Sequence, residues 1–158
     1  MSDDVVLYSH SQGIATITLN RPAKANTLRM EVIQGLNDAL ADAVRLDPDD
    51  GWVRVVFGLT LLEADRPEEA TGELMSGARR READMEAQLA AALAAAATGR
   101  DGVAYEMLER GRLSAVEGDA QLVAAIEDRI DAGHEAAASL LHEDFAPDLL
   151  RTRLRERP

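Results

Sequence analysis

Cysteine is absent from the 158 residues, which removes disulfides, thiolate metal sites and cysteine nucleophiles and permits a reducing interior. Aromatic residues are scarce at 3 %. With alanine and leucine carrying most of the 46 % apolar share, the composition suits close-packed helices better than a sandwich or barrel. Lysine occurs once, at Lys24, and arginine supplies the remaining basic charge. Lys plus Arg total 17 against 29 Asp plus Glu, a net charge of -12. Such a field repels phosphate backbones and anionic lipid surfaces, so nucleic acid and membranes are poor partners. No apolar run is long: Leu89 to Ala97 falls far below the roughly 18 residues that span a bilayer. The acidic start, Met1 to Asp4, lacks the basic flank and apolar stretch of a signal peptide. A cytoplasmic chain of one domain's size is the expectation.

Along the chain, Ala15, Ile17 and Leu19 alternate with Thr16 and Thr18 after a Gln12-Gly13 turn signal that follows Val5 to Tyr8, which reads as a β-hairpin. Arg21-Pro22 ends the second strand, because proline lacks an amide proton. A helix capped by Asn26 or Thr27 then carries Met30, Ile33, Leu36, Leu40 and Val44 on one face, and Asp47-Pro48 stops it.

From Gly51 onward the sequence repeats at an offset of 34 residues: Ala70, Ala104 and Ala138 share it, as do Gly99 and Gly133, with Asp65 in the place of the first glycine. The unit reads as helix, tight turn, helix. A glycine after the first helix takes the left-handed cap conformation cheaply, and a small residue early in the second permits close approach. The pattern predicts helices at Trp52–Ala64 and Glu68–Arg81, Ala87–Ala97 and Gly102–Ser114, and Ala120–Asp131 and Glu135–Glu143. The nearly all-apolar segment Gln88 to Ala97 belongs at the centre of the stack. After Phe145-Ala-Pro147, leucines 149, 150 and 154 sit among arginines, as in a helix that caps the last repeat and faces an acidic body.

Units starting at Gly51, Met85 and Asp119 place Gly58 and Ala92 at the eighth position, Gly99 and Gly133 at the fifteenth, and Ala70, Ala104 and Ala138 at the twentieth. This pattern, covering about residues 36–152, resembles the tetratricopeptide repeat. It departs from that pattern at Arg54, at Ile126 and at Phe145, where small or aromatic residues are usual. The resemblance implies a mainly α fold: a tetratricopeptide-like array of antiparallel helical hairpins, an α-solenoid, over residues 47–158 in units 51–84, 85–118 and 119–152. It also implies a non-catalytic protein–protein interaction role, with a concave face formed by Val55, Leu59, Leu62, Leu89, Leu93, Val123, Glu127 and Ile130. That face lacks the basic residues of a carboxylate clamp, so an apolar or basic-flanked protein or peptide segment is the implied partner. The same residues would equally serve as inter-helix core or as a homodimer contact.

The first part, residues 1–46, differs. Gly13-Ile-Ala-Thr-Ile-Thr-Leu-Asn-Arg-Pro22 and Asn26-Thr-Leu28 resemble the opening of the crotonase (enoyl-CoA hydratase) family, in which Lys24, Ala25 and Leu28 would hold coenzyme A. That family's oxyanion-hole segment and catalytic acids are not recognisable after Phe57, so the main rate-enhancing element is missing. A truncated or degenerate acyl-CoA enzyme or binder of that family is therefore the alternative reading, and a self-association module a third.

Other chemistry finds little support. His134 and His142 stand about 12 Å apart along one helix, too far to share a metal. Gly99-Arg-Asp-Gly102 lacks the lysine and hydroxyl of a nucleotide loop. No serine sits in a nucleophile-elbow pattern. Neither metal nor cofactor is expected.

Overall fold

The computed structural model describes residues 5–12, 14–24 and 29–155. Strands β1 (Val6–Ser11) and β2 (Ile14–Leu19) pair antiparallel, with Val6 opposite Leu19 and Ser11 opposite Ile14. Gln12 has φ +52°, the left-handed geometry that two-residue hairpin turns use; Gly13 lies outside the described residues. Ala15, Ile17 and Leu19 are half-buried while Ile14, Thr16 and Thr18 face solvent, as period-two alternation requires. The hairpin lies on helix α1 (Met30–Leu46). A Cβ added at Gly35 would come within 2.9 Å of Val6 Cγ2, so the absent side chain is what lets strand and helix approach.

In α1 the buried set is Val32, Ile33, Leu36, Asn37, Ala39, Leu40 and Ala43. Met30 is exposed and Val44 half-buried, so the apolar stripe is wider and rotated from the one the spacing predicts. The hairpin and the next helix both pack on α1, and two neighbours need more than one seam. Asn26 and Thr27, the expected caps, lie outside the described residues.

Four helices follow in two pairs: α2 (Gly51–Glu63) with α3 (Pro67–Arg80), and α4 (Met85–Ala97) with α5 (Asp101–Ser114). Their boundaries fall within two residues of the sequence expectation. The pairs are built alike. Asp50 and Asp84, 34 positions apart, each accept a hydrogen bond at 3.1 Å, from the Val53 and Ala87 amides, and so cap α2 and α4. Asp65 and Gly99 adopt φ of +57° and +73°, and the following Arg66 and Arg100 amides donate back to the Leu61 and Ala95 carbonyls at 3.0 and 2.8 Å. Each first helix therefore ends in a Schellman turn.

Helix α1 joins α2 as α3 joins α4. Thr60 Oγ1 donates to Asn37 Oδ1 at 2.7 Å across the α1–α2 contact, and Thr71 Oγ1 donates to the Ala94 carbonyl at 3.2 Å across the α3–α4 contact. Within the pairs, a Cβ on Gly58 would lie 2.6 Å from Leu74 Cγ, one on Gly77 2.9 Å from the Val55 amide nitrogen, and one on Gly111 2.9 Å from Leu89 Cδ2. The helices touch because these positions carry no side chain. Arg54 donates to Glu73 at 2.6 Å and to the Pro48 carbonyl at 2.8 Å, tying α2 to α3 by charge. Every residue from Ala87 to Ala96 is at most 1 % exposed, so α4 is the core of the molecule.

The remaining helices are α6 (Ala120–Asp131), α7 (His134–Leu140) and α8 (Ala146–Arg155). Gly133 has φ +102°, the third left-handed residue at the 34-residue interval. Beyond it the pattern slips. Ala137 rather than Ala138 is buried in α7, and the expected helix to Glu143 becomes α7 followed by a π-helical turn, Leu141–Phe145. From His134 to Arg155 the chain forms one nearly continuous rod of about 33 Å. It does not fold onto α6 as a third compact pair. Instead α7 packs chiefly on α4, and α8 reaches α2, so α8 covers the first helix pair and not the last.

Ile126 and Phe145 mark the difference in sequence: they occupy the positions of Gly58 and Ala92, and of Gly77 and Gly111, where the compact pairs carry small residues. A crevice of about 270 Å³, lined by Leu122, Leu140, Phe145 and Leu149 among others, remains between α6 and the rod.

Candidate interaction face

The first helices of the two compact pairs, α2 and α4, carry the residues expected to form a concave face. Val55, Leu59, Leu62, Leu89 and Leu93 do share one apolar cluster, joined by Val123 and Ile130 of α6. None is open to solvent: Leu59, Leu89 and Leu93 are 0 % exposed and Ile130, the most accessible of the seven, 6 %. Glu127 is half-buried and pairs with Arg112 at 2.8 Å, away from that cluster. Val55 and Leu89 are enclosed by the second helices of their own pairs, at Gly77 and Gly111, and the rod adds Leu141, Leu149 and Leu150 to the same cluster.

The polar anchor of this contact sits at its edge. Arg153 Nη2 donates to Asp84 Oδ1 at 2.5 Å and to Glu86 Oε2 at 3.1 Å. The Arg153 and Asp84 side chains are only 11 % and 9 % exposed. Arg81 Nε donates to the other Asp84 oxygen at 2.8 Å, while Asp84 Oδ1 also caps α4. Burial pushes the Asp84 carboxyl upward, but the Arg81 hydrogen bond, the Ala87 amide and Arg153 outweigh it and hold the group below the ordinary carboxylate range. Arg153 Nε is buried without a hydrogen-bond partner among the described residues.

Of the tail arginines expected to face an acidic body, Arg153 does so while Arg151 pairs with Asp148 of its own helix; the cluster of Asp84, Glu86 and Arg153 was not legible in the sequence. The 34-residue relation of Asp84 to Asp50 marks it as a cap; nothing in spacing announces that a residue so far along the chain returns to it.

A second concavity, of about 190 Å³, lies between the hairpin and the α1–α2 pair and is lined by Ile17, Leu19, Leu36, Leu40, Trp52 and Val56 among others. Of the positions that the crotonase resemblance assigns to coenzyme A, Lys24 closes the single 3-10 turn Pro22–Lys24, and Ala25 and Leu28 lie outside the described residues. His134 Nε2 lies 3.1 Å from Asp101 Oδ1 on the surface. Among the described residues no group of three or more histidines and carboxylates is placed to hold a metal ion, and no helix is long and apolar enough to cross a membrane.

Comparison with protein-family models, with curated proteins and with solved structures found no match to this chain.

Proposed function

We propose that the chain is a non-catalytic protein–protein interaction module of the tetratricopeptide kind, which holds a helical segment of a partner across the first helices of its pairs. One observation carries the reading: α2 and α4 already seat a helical rod, with leucines in an apolar cluster and an arginine on two carboxylates. Groove recognition of an amphipathic helix uses the same division of labour, apolar anchors for affinity and charge for register. The net charge of -12 favours encounter with basic segments.

Capture from a lysate of the source cell tests this. Glu86 is the residue to change, since its side chain is 44 % exposed and Glu86→Arg leaves the core intact, whereas Leu93→Glu would bury a charge at a fully enclosed site. The reading predicts a reproducible bound protein that Glu86→Arg releases while the helical melt stays cooperative. Capture unaffected by the charge reversal would reject this face.

A further inference from the structure

We infer that α8 is a displaceable resident of the α2–α4 face, and that the partner is an amphipathic helix with two adjacent leucines and an arginine three residues after the second. The inference rests on the interaction reading above and supplies the recognition chemistry and the competitor. The occupant is written in α8 itself: Leu149 and Leu150 are 5 % and 1 % exposed within the cluster that holds Val55 and Leu59, and Arg153 meets Asp84 and Glu86. A helix of the same chemistry would satisfy the same apolar surface and the same two carboxylates.

Three features keep α8 from being locked in place. Its only link to α7 is a π-helical turn, where the regular hydrogen-bond ladder is interrupted. A crevice of about 270 Å³, lined by Leu122 of α6 and by Phe145, Asp148, Leu149 and Thr152 of the rod, runs along its side. The Arg153 anchor also carries a buried Nε with no hydrogen-bond partner among the described residues, a polar atom that loses its water on docking at a cost. A partner whose arginine or neighbouring groups pair fully would outcompete it.

The probe is a fluorescein-labelled synthetic peptide with the sequence of residues 144–155, titrated by anisotropy into the full chain. Arg153→Glu sets α8 against Asp84 and Glu86, and Thr152→Pro breaks α8 without touching the array. Either change should free the face, so the peptide should bind the variants about tenfold or more tightly than the unaltered chain, whose competent fraction is small. A peptide with glutamate in the place of Arg153 should lose that gain. Both variants must keep a cooperative helical melt. Variants that fold and bind no tighter overturn the inference, and collapse of both would show α8 to be integral to the array, which overturns it equally. Concentration-dependent dimers of the unaltered chain that exchange labelled α8 would assign the face to a second copy. Because the peptide assay needs no natural partner, its failure removes α8 as competitor while lysate capture reports separately on the interaction reading.

Discussion

The two compact helix pairs carry small residues at two facing positions where the third unit carries bulk, and the third does not close as a compact pair. Gly58 with Gly77, and Ala92 with Gly111, let second helices rest against first helices; Ile126 with Phe145 do not. A pair that cannot close must bury its apolar face elsewhere, and here the rod from His134 to Arg155 crosses α4 and α2. Periodic sequence thus builds the platform, and a break in periodicity turns the last unit into something that lies on it.

The largest effect should separate platform from rod. Leu93→Ala, in fully buried α4, should lower global stability by about 2–5 kcal/mol in urea unfolding. Leu150→Ala removes as large a side chain from α8, yet its cost to the global transition is capped by the free energy of releasing the rod, so its midpoint should fall less. Next comes the close approach itself. Gly77→Ala places Cβ 2.9 Å from the Val55 amide nitrogen and the Gly51 carbonyl oxygen, backbone atoms that no rotamer relieves, at a cost of about 1–3 kcal/mol. Gly72→Ala, in the same helix with nothing within 4 Å, should stabilise by about 1 kcal/mol, giving opposite signs five residues apart.

Acid should weaken the junction at Asp84, which caps α4, pairs with Arg81 and anchors the rod through Arg153. Asp84 titrates lower when folded than when unfolded, so it binds fewer protons in the folded state and stabilises it above the unfolded value of about 3.9. That contribution disappears as pH falls through the lower folded value. The stability gap between the unaltered chain and Asp84→Asn, read by urea midpoints, should be full at neutral pH and close in that acid range. The smallest effect concerns the turn between α2 and α3: Asp65→Gly relieves a left-handed φ of +57° and should add about 0.5 kcal/mol, a gain with no counterpart at Gly99.

The platform was legible because its signals are local and repeated. Ala70 and Ala104, Gly58 and Ala92, and the turn at Asp65 and Gly99 each mark one geometric need, and α2 to α5 lie where those residues put them. The seven apolar residues of the proposed groove were legible as buried, and Glu127 was misplaced among them; whether that face is open was not legible, since patterning reports that a side chain is buried and not by what. The rod was not legible. Ile126 and Phe145 stand out as departures in the sequence, yet the energy that sends α8 to α2 comes from contacts far apart along the chain, as Arg153 with Asp84 and Glu86 illustrates, and spacing cannot encode them.

Native-state hydrogen exchange, followed amide by amide at neutral pH, tests the division most directly. The amides of residues 148–155 should exchange through a partial opening of lower free energy than those of α2 to α5, and Arg153→Glu should speed the first group while leaving the second unchanged. Equal protection of both groups, lost together in one global unfolding, would contradict it.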